Sequence, residues 1–349
     1  MSKLFKEGGP YGIRRVGADK YKFSVPIQTQ EGWIARECRD AQCSPGYFKV
    51  RLGTGILGEQ TEAFCPYCRT SGEPLDFATK EQVRYVVDIA KREAERAVDK
   101  LLDKKLGLGP SGRKTFGAGL LSMSIHKKKG TSASPVRPPV EETLRRDVRC
   151  PSCGLEQSVY GLGTWCADCG ADIMLSHVEA ELQIIRAMLS DIERRKEGLG
   201  ARVASKDLEN CLEDLVSVFE TVLRTSLRRW RIERSGEAAA MADEAIRKIG
   251  NAFQSVRRAN DIYGSTAGVT FAVLVSPDEY EELAAILEKR HPITHNLGQA
   301  DKRYLERTKG RGKEGRDVLV LKPEIERAID LCSKLFQALH GKLFAAERP

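Results

Sequence analysis

Eight of the ten cysteines form two sets of four, and no other feature constrains the fold of this 349-residue chain as strongly. Thiolates are soft ligands, and four of them at the corners of a tetrahedron suit Zn²⁺. Each set therefore predicts a closed structural zinc site without a free position for a substrate. The expected ligands are Cys38, Cys43, Cys65 and Cys68 in the first set, and Cys150, Cys153, Cys166 and Cys169 in the second.

The spacing of the second set is typical of a zinc ribbon, since its two CxxC turns are separated by 12 residues, enough for a hairpin. The first set is less standard, because four residues separate Cys38 from Cys43 and 21 residues separate Cys43 from Cys65. Redox-active thiols are the alternative for both sets, although no thioredoxin-like βαβ pattern surrounds them. A mixed site, with cysteines from both sets, also stays open.

A zinc ribbon can bind nucleic acid, dock a partner protein or hold a short segment folded, and the sequence does not choose among these roles. Aromatic residues surround the first set and suit stacking on bases, but filling a very small core is the favoured interpretation. These residues are Trp33, Tyr47, Phe48, Phe64 and Tyr67. The two remaining cysteines, Cys211 and Cys332, lie on apolar helix faces and predict buried free thiols.

The rest of the sequence predicts a mainly α protein. Apolar residues repeat at helical spacing over 78–106 and through most of 176–349, where they predict an antiparallel helical bundle. The expected order is zinc ribbon 1 with short β-strands over 1–77, a helix over 78–106, a basic linker rich in Gly, Ser, Pro and Lys over 107–149, zinc ribbon 2 over 150–175, and the bundle over 176–349.

Composition and hydropathy exclude several classes of protein. Hydrophobic residues make up 41% and charged residues 30%, which is a globular composition. No window holds 18 consecutive apolar residues, and the N-terminal residues lack the apolar stretch of a secretory signal. We therefore expect a cytoplasmic protein that makes no use of a membrane and keeps its cysteines reduced.

Positive charge is concentrated in two stretches of the chain. Residues 104–149 hold 11 basic and 3 acidic residues, and residues 289–316 hold 9 basic and 3 acidic residues. Basic tracts of this kind favour a polyanionic partner. The alternative is that the first tract is a solvated linker and the second a solvated loop.

A second group of chemically active residues lies in the segment RHPITHN, which holds Arg290, His291, His295 and Asn296. Arg290 follows apolar residues at helical spacing and so falls on the core-facing stripe, where a charge is seldom buried unpaired. Pro292 lacks the amide proton that a continuing helix needs, so the helix should kink or restart there. Arginine supplies a permanent cation for phosphate, and histidine takes or gives a proton near neutral pH. Together they supply what RNA cleavage at the 2′-hydroxyl requires without a metal.

This segment resembles the signature of the HEPN superfamily of helical-bundle proteins. That signature is an arginine, usually followed by a polar residue, with a histidine four to six positions on. Arg290 and His295 match it, with His291 as the polar second residue. The surrounding sequence EKRHPITHNLGQADKRYLER is similar to the same region of such domains, and the resemblance covers about 176–349.

The resemblance implies a metal-independent endoribonuclease that acts as a homodimer, with two Arg/His pairs across one cleft. In this interpretation His295 is the general base or acid, Arg290 holds the scissile phosphate, and His291 and Asn296 support them. The products would carry a 2′,3′-cyclic phosphate and a 5′-hydroxyl. Such domains serve in toxin–antitoxin, phage-defence and RNA-processing roles. RNA is thus the expected partner, with DNA, an antitoxin or another protein as further candidates and no catalytic metal.

A non-enzymatic function is the alternative to this interpretation. Arg290 and His295 would then cap helix carbonyls or pair with nearby acids. The ribbons and the basic linker would bind nucleic acid or a partner protein, and the bundle would only dimerise. Two copies of Arg290 and His295 that face one open cleft would favour the enzyme over this adaptor.

Overall fold

The structure, a computed structural model, describes residues 5, 7–18, 20–27, 29–58, 60–108, 113–116, 123–126 and 136–344. Across these residues the N-terminal half carries short strands and one long helix, whereas the C-terminal half is helical. The strands are β1 (Arg14–Arg15), β2 (Tyr21–Lys22), β3 (Trp33–Glu37), β4 (Tyr47–Arg51), β5 (Ala63–Phe64), β6 (Ser71–Gly72), β7 (Arg113–Phe116), β8 (Met123–His126), β9 (Arg146–Arg149) and β10 (Glu156–Val159). The helices are α1 (Lys80–Leu106), α2 (Met174–Ser190), α3 (Ile192–Leu199), α4 (Ala201–Glu233), α5 (Ala239–Lys248), α6 (Val256–Ala267), α7 (Pro277–Glu288), α8 (Arg290–His295), α9 (Lys302–Arg307) and α10 (Lys322–Phe344).

Strands from both cysteine regions join in one antiparallel sheet, in the order β3-β4-β10-β9. The central pairing places Val50 of β4 opposite Gln157 of β10, and Phe48 opposite Val159. Phe48, Val148 and Val159 are buried in one apolar core that also contains cysteines of both sets. The two cysteine regions, which the sequence presents as separate stretches, therefore fold as one unit. We refer to it below as the cysteine unit.

The end of the predicted linker belongs to this unit. Arg146–Arg149 form the edge strand β9, and the carboxylate of Glu141 lies 3.0 Å from the ammonium of Lys49, with both side chains largely buried. Strands β7 and β8 also pair within the part of this linker, 107–140, for which the sequence composition predicts little fixed structure. The lysines of the KKKG segment, at 127–129, lie outside the described residues.

The long helix α4 organises the helical half. It packs against α2, α3, α5 and α10. Its stripe of Leu212, Leu215 and Phe219 is fully buried because every third or fourth residue is apolar, and Phe219 packs against Phe336 of α10 with ring centroids 5.9 Å apart. The C-terminal region is thus helical, as predicted, with one continuous apolar core. Among the helices of the described residues, none has the length and apolarity that a bilayer crossing demands.

Candidate metal centres and a basic pocket

The first cysteine set converges although its members come from separate turns. Cys38 follows β3, Cys43 precedes β4, and Cys65 and Cys68 belong to the turn after β5. All four Sγ atoms lie within 4.8 Å of one another. The sulfurs of Cys38 and Cys68 are 3.6 Å apart, and those of Cys43 and Cys65 are 3.7 Å apart.

The second set converges in the same way at the other end of the sheet. Its four Sγ atoms also lie within 4.8 Å of one another. The Cys150–Cys169 sulfurs are 3.7 Å apart and the Cys153–Cys166 sulfurs 3.5 Å apart. Each CxxC turn is closed by a backbone bond from a following residue, since Gly154 donates to the Cys150 carbonyl and Gly170 to that of Cys166.

These distances fit a tetrahedral metal site. With metal–sulfur bonds of about 2.3 Å, a tetrahedron places its sulfurs about 3.8 Å apart. Each set gathers only its own members, so the eight cysteines do not form a mixed site. The cysteine unit therefore holds two possible structural metal sites, as the spacing predicts.

The other two cysteines take no part in these sites. Cys211 of α4 and Cys332 of α10 are free and completely buried in the helical core. Burial raises the pKa of the Cys211 thiol to about 11 and also raises that of Cys332. Both thiols are thus protonated at neutral pH and pack as small apolar side chains, as predicted.

Trp165, one residue before Cys166, lies at the contact between the cysteine unit and the helical half. The guanidinium carbon of Arg229, on α4, lies 4.1 Å from the centroid of the Trp165 ring and 4.0 Å from that of Phe344. The same guanidinium is 2.5 Å from the carboxylate of Asp172. Arg69, beside Cys68, also lies over the Trp165 ring, at 4.3 Å. Both cysteine sets are therefore linked to α4 through one tryptophan.

The helix break at the RHPITH segment determines where its side chains lie. Helix α7 begins with a capping box, in which Ser276 accepts from the Glu279 amide at 3.3 Å and the Glu279 carboxylate accepts from the Ser276 amide at 3.0 Å. It ends at Glu288, four residues before Pro292, whose ring would clash with that carbonyl in a continuous helix. A new short helix, α8, starts at Arg290, as the proline predicts.

This break brings Arg290, His291 and His295 to one pocket of about 270 Å³. Arg290 is partly buried, and its Nη1 donates to Oε1 of Gln254 at 2.8 Å. Gln254 lies in the short 3-10 segment before α6, so a second part of the helical half orients the guanidinium. The remaining lining residues are Asn251, Ser255, Arg258, Leu287, Glu288, Arg303 and Arg307.

The two imidazoles lie close together in this pocket. The ring centroids of His291 and His295 are 5.1 Å apart. Burial, together with the nearby positive charge of Arg303, lowers the pKa of His291 below its ordinary 6.5, although Asp301 acts in the opposite direction. The Asp301 carboxylate is 4.0 Å from Nε2 of His291. His291 is therefore held as a neutral imidazole at neutral pH, while His295 is exposed to solvent.

Positive charge predominates around the pocket. Four arginines line it against the single carboxylate of Glu288, which pairs with Arg307. Arg258 of α6 and Arg303 of α9 are exposed, and neither has an ion-pair partner among the residues that the structure describes. The site therefore combines two proton-transfer groups with several cations and suits an anionic ligand such as a phosphodiester.

Three of the four predicted site residues, Arg290, His291 and His295, line the pocket, and the fourth, Asn296, does not. Asn296 is not among the described residues that line the pocket, because α8 ends there and its amide donates to the Gln299 carbonyl at 2.9 Å. Conversely, the sequence interpretation missed Gln254, Arg258 and Arg303. Their helices are separate in sequence from α8, so no local spacing connects them, although the basic tract of 289–316 includes Arg303.

Comparison with known proteins adds no identification. No protein-family model matches this chain, and neither a curated protein nor a solved structure matches it. Its function is therefore argued from the geometry of these sites.

Proposed function

We propose that this protein is a metal-independent endoribonuclease of the HEPN type, with two structural zinc sites in its cysteine unit. The observation that carries the proposal is the common placement of Arg290, His291 and His295 in one basic pocket. An arginine and two histidines supply the charge and the proton transfers for cleavage at the 2′-hydroxyl.

In the proposed reaction an imidazole removes the proton of the 2′-hydroxyl, and the resulting oxygen attacks the adjacent phosphorus. The bond from phosphorus to the 5′-oxygen breaks, and the second imidazole protonates that oxygen. The products are a 2′,3′-cyclic phosphate and a 5′-hydroxyl. His291, held neutral, suits the first transfer, and the exposed His295 suits the second. Arg290 would stabilise the charge that develops on the phosphate oxygens.

The rest of the chain supports this site in the proposal. The helical half is inferred to be an antiparallel bundle that dimerises, so that two pockets face one cleft. Zinc is the metal we expect in the cysteine unit, because four thiolates at tetrahedral distances favour it. Structural zinc sites are closed, so the two ions would hold the unit folded and take no part in catalysis. A role in defence or as a stress toxin would follow from activity on cellular RNA.

Incubation of the purified protein with total RNA in EDTA tests the proposal, with mapping of the cut ends. We expect cleavage in EDTA, because the pocket needs no metal and closed four-thiolate zinc sites release their metal slowly. The new ends should carry a 2′,3′-cyclic phosphate, which ligation by an enzyme specific for that group detects.

Two results would contradict this proposal. Cleavage that leaves 5′-phosphate ends would point to a hydrolytic, metal-dependent reaction or to a contaminating nuclease. RNA binding without cleavage, at all pH values from mildly acidic to mildly basic, would favour the adaptor function in which the ribbons and the basic tracts only bind.

A further inference from the structure

Basic residues continue beyond the pocket onto the segment that follows it. Arg303 and Arg307 line the pocket from α9, while Tyr304, on the same short helix, lines a second cavity of about 360 Å³. Three basic residues of the following loop also line that cavity. They are Arg311, Lys313 and Arg316. Helix α9 is therefore the common wall of two cavities, and residues 302–316 form a continuous surface from one to the other.

Positive charges outnumber negative ones on this surface, and the second cavity is also lined by two carboxylates, Asp317 and Glu324, of which Glu324 pairs with Lys289. Residues 302–316 hold seven basic residues and two acidic ones, Glu306 and Glu314. Arg307 pairs with Glu288, and the Lys309 ammonium lies 3.0 Å from Glu281. The other five basic side chains are exposed and form no ion pair within the described part of the chain. They are Lys302, Arg303, Arg311, Lys313 and Arg316.

Elsewhere in the helical half, arginines are typically paired. Arg195 contacts Asp207 at 2.5 Å, and Arg231 contacts Glu237 at 2.6 Å. A group of unpaired like charges repels itself in the folded state and gains nothing from the fold. An anionic ligand from outside the chain would remove this repulsion.

We propose that this surface, which we name the α9 track, binds the sugar–phosphate backbone of the RNA on one side of the scissile phosphate. The assignment of the cut itself rests on the proposed function. The loop KGRGKEGR contains no aromatic side chain that could stack on a base, and the positive charges of its lysines and arginines pair with phosphates of any sequence. The track therefore contacts phosphates without regard to sequence, and it extends the binding site beyond the nucleotides at the cut.

Binding of single-stranded RNA, measured by fluorescence anisotropy against salt concentration, tests the track. The full chain is used with His295→Ala as background, so that the RNA stays intact. In that background the triple change Arg311→Gln, Lys313→Gln and Arg316→Gln should weaken binding. The slope of log affinity against log salt should fall by about 2, since each lost phosphate contact on a single strand removes about 0.7.

A matched variant removes the same three charges elsewhere. Lys196, Arg202 and Lys206 are exposed residues of α3 and α4, and their replacement by Gln changes the net charge equally. We expect this variant to keep the salt slope of the parent. Equal weakening by both triples would show that only net charge matters, and an unchanged slope in the loop triple would also overturn the track.

Length dependence gives a second readout. An oligonucleotide long enough to reach both cavities should bind the His295→Ala protein more tightly than a trinucleotide does, and the loop triple should lose most of that advantage. No advantage of length in the parent background would overturn the track. These binding results stand apart from the cleavage assay, so failure of the track and failure of the ribonuclease assignment are distinguishable.

Discussion

Arg290 shows how one side chain can lie on a core-facing stripe and still serve a site. The break between α7 and α8 releases it from the regular helix, and Gln254 accepts one of its hydrogen bonds at 2.8 Å. Arg290 also lines the basic pocket, which suits a phosphate. The sequence placed the charge of Arg290 on a core-facing stripe. In the structure the side chain is partly buried and donates a hydrogen bond to Gln254.

Two replacements of Arg290 should distinguish the effect of its positive charge on RNA cleavage from the effect of its planar guanidinium. Arg290→Ala removes the proposed phosphate contact and should lower kcat/KM for RNA by about 10²–10³, the usual effect of losing one transition-state contact. Arg290→Lys keeps the charge but loses the planar fork, so its activity should fall to an intermediate level. Both variants are tested by their rates of RNA cleavage, with thermal melting as the control for folding. An Arg290→Ala protein that cleaves RNA at the parent rate would exclude Arg290 from catalysis.

The proton equilibrium of His291 gives a second prediction at this scale. Burial lowers its pKa in the folded protein below 6.5, so the unfolded chain binds more protons between that lowered pKa and 6.5. Its contribution to stability is therefore lost as the pH falls through this window. NMR titration should show a midpoint below 6.5 that is absent in His291→Gln, and a midpoint at or above 6.5 would contradict the described environment.

Among the elements, the shared sheet is the feature that local sequence patterns did not reveal. Each cysteine set was predicted from its spacing alone, and the sulfur distances agree with that prediction. The pairing of β4 with β10 depends on contacts between residues far apart in the sequence. Short strands with mixed burial carry no signal for such a partner, so two modules were expected where one sheet is present.

Loss of one ligand should therefore affect strands from both cysteine regions. We expect about two zinc ions per chain in the parent, from two four-thiolate sites, and about one in Cys153→Ser. Hydrogen exchange in Cys153→Ser should speed up in β9 and β10 and also in β4, which loses its neighbour, while α2 and α4 keep their protection. Metal analysis and exchange mass spectrometry measure these effects.

Cys211→Ala provides the control for this experiment, because Cys211 is buried in the helical core and is not a proposed ligand. Its zinc content should equal that of the parent. Metal analysis of the parent that gave zero or one ion per chain would contradict the two-site interpretation. Unchanged exchange in β4 of Cys153→Ser would contradict the shared sheet as a cooperative unit.

The stack around Arg229 should connect the cysteine unit to the helices energetically. Arg229 is largely buried between Trp165 and Phe344 and pairs with Asp172. Arg229→Ala leaves that carboxylate without this partner and should lower the free energy of unfolding by about 3 kcal/mol. Arg194→Ala, at an exposed pair with Asp191, should cost much less, because solvent screens that pair. Denaturant unfolding measures both, and equal values would contradict the importance of the stack.

At the scale of the whole molecule, the sequence predicted the helices and the two cysteine groups better than it predicted how these elements pack together. Stripes of apolar residues identified α4 and α10 because their periodicity is local. The pocket combines α7, α8, α9 and the segment before α6, and only the fold brings these together. Hence Arg290 and His295 could be selected from one short motif, whereas Gln254 and Arg258 could not.

The proposed arrangement gives each half of the molecule a separate task. In this arrangement two structural metal ions would hold the cysteine unit, which is joined to α4 through Trp165. The helical half carries the basic pocket and would bind RNA along the proposed α9 track. A homodimer would place two such pockets across one cleft. Since the pocket and the metal sites share no residue, catalysis and metal content should respond independently to substitution.

The most direct test of the central claim is the rate of RNA cleavage by His295→Ala beside that of the parent. Loss of a positioned acid or base typically slows a reaction by about 10²–10⁴-fold. We predict a decrease of this size with unchanged zinc content, melting temperature and oligomeric state, because His295 is exposed and belongs to neither of the two cysteine groups found among the described residues. A folded His295→Ala protein that cuts RNA as fast as the parent would contradict the catalytic assignment and leave the adaptor function in its place.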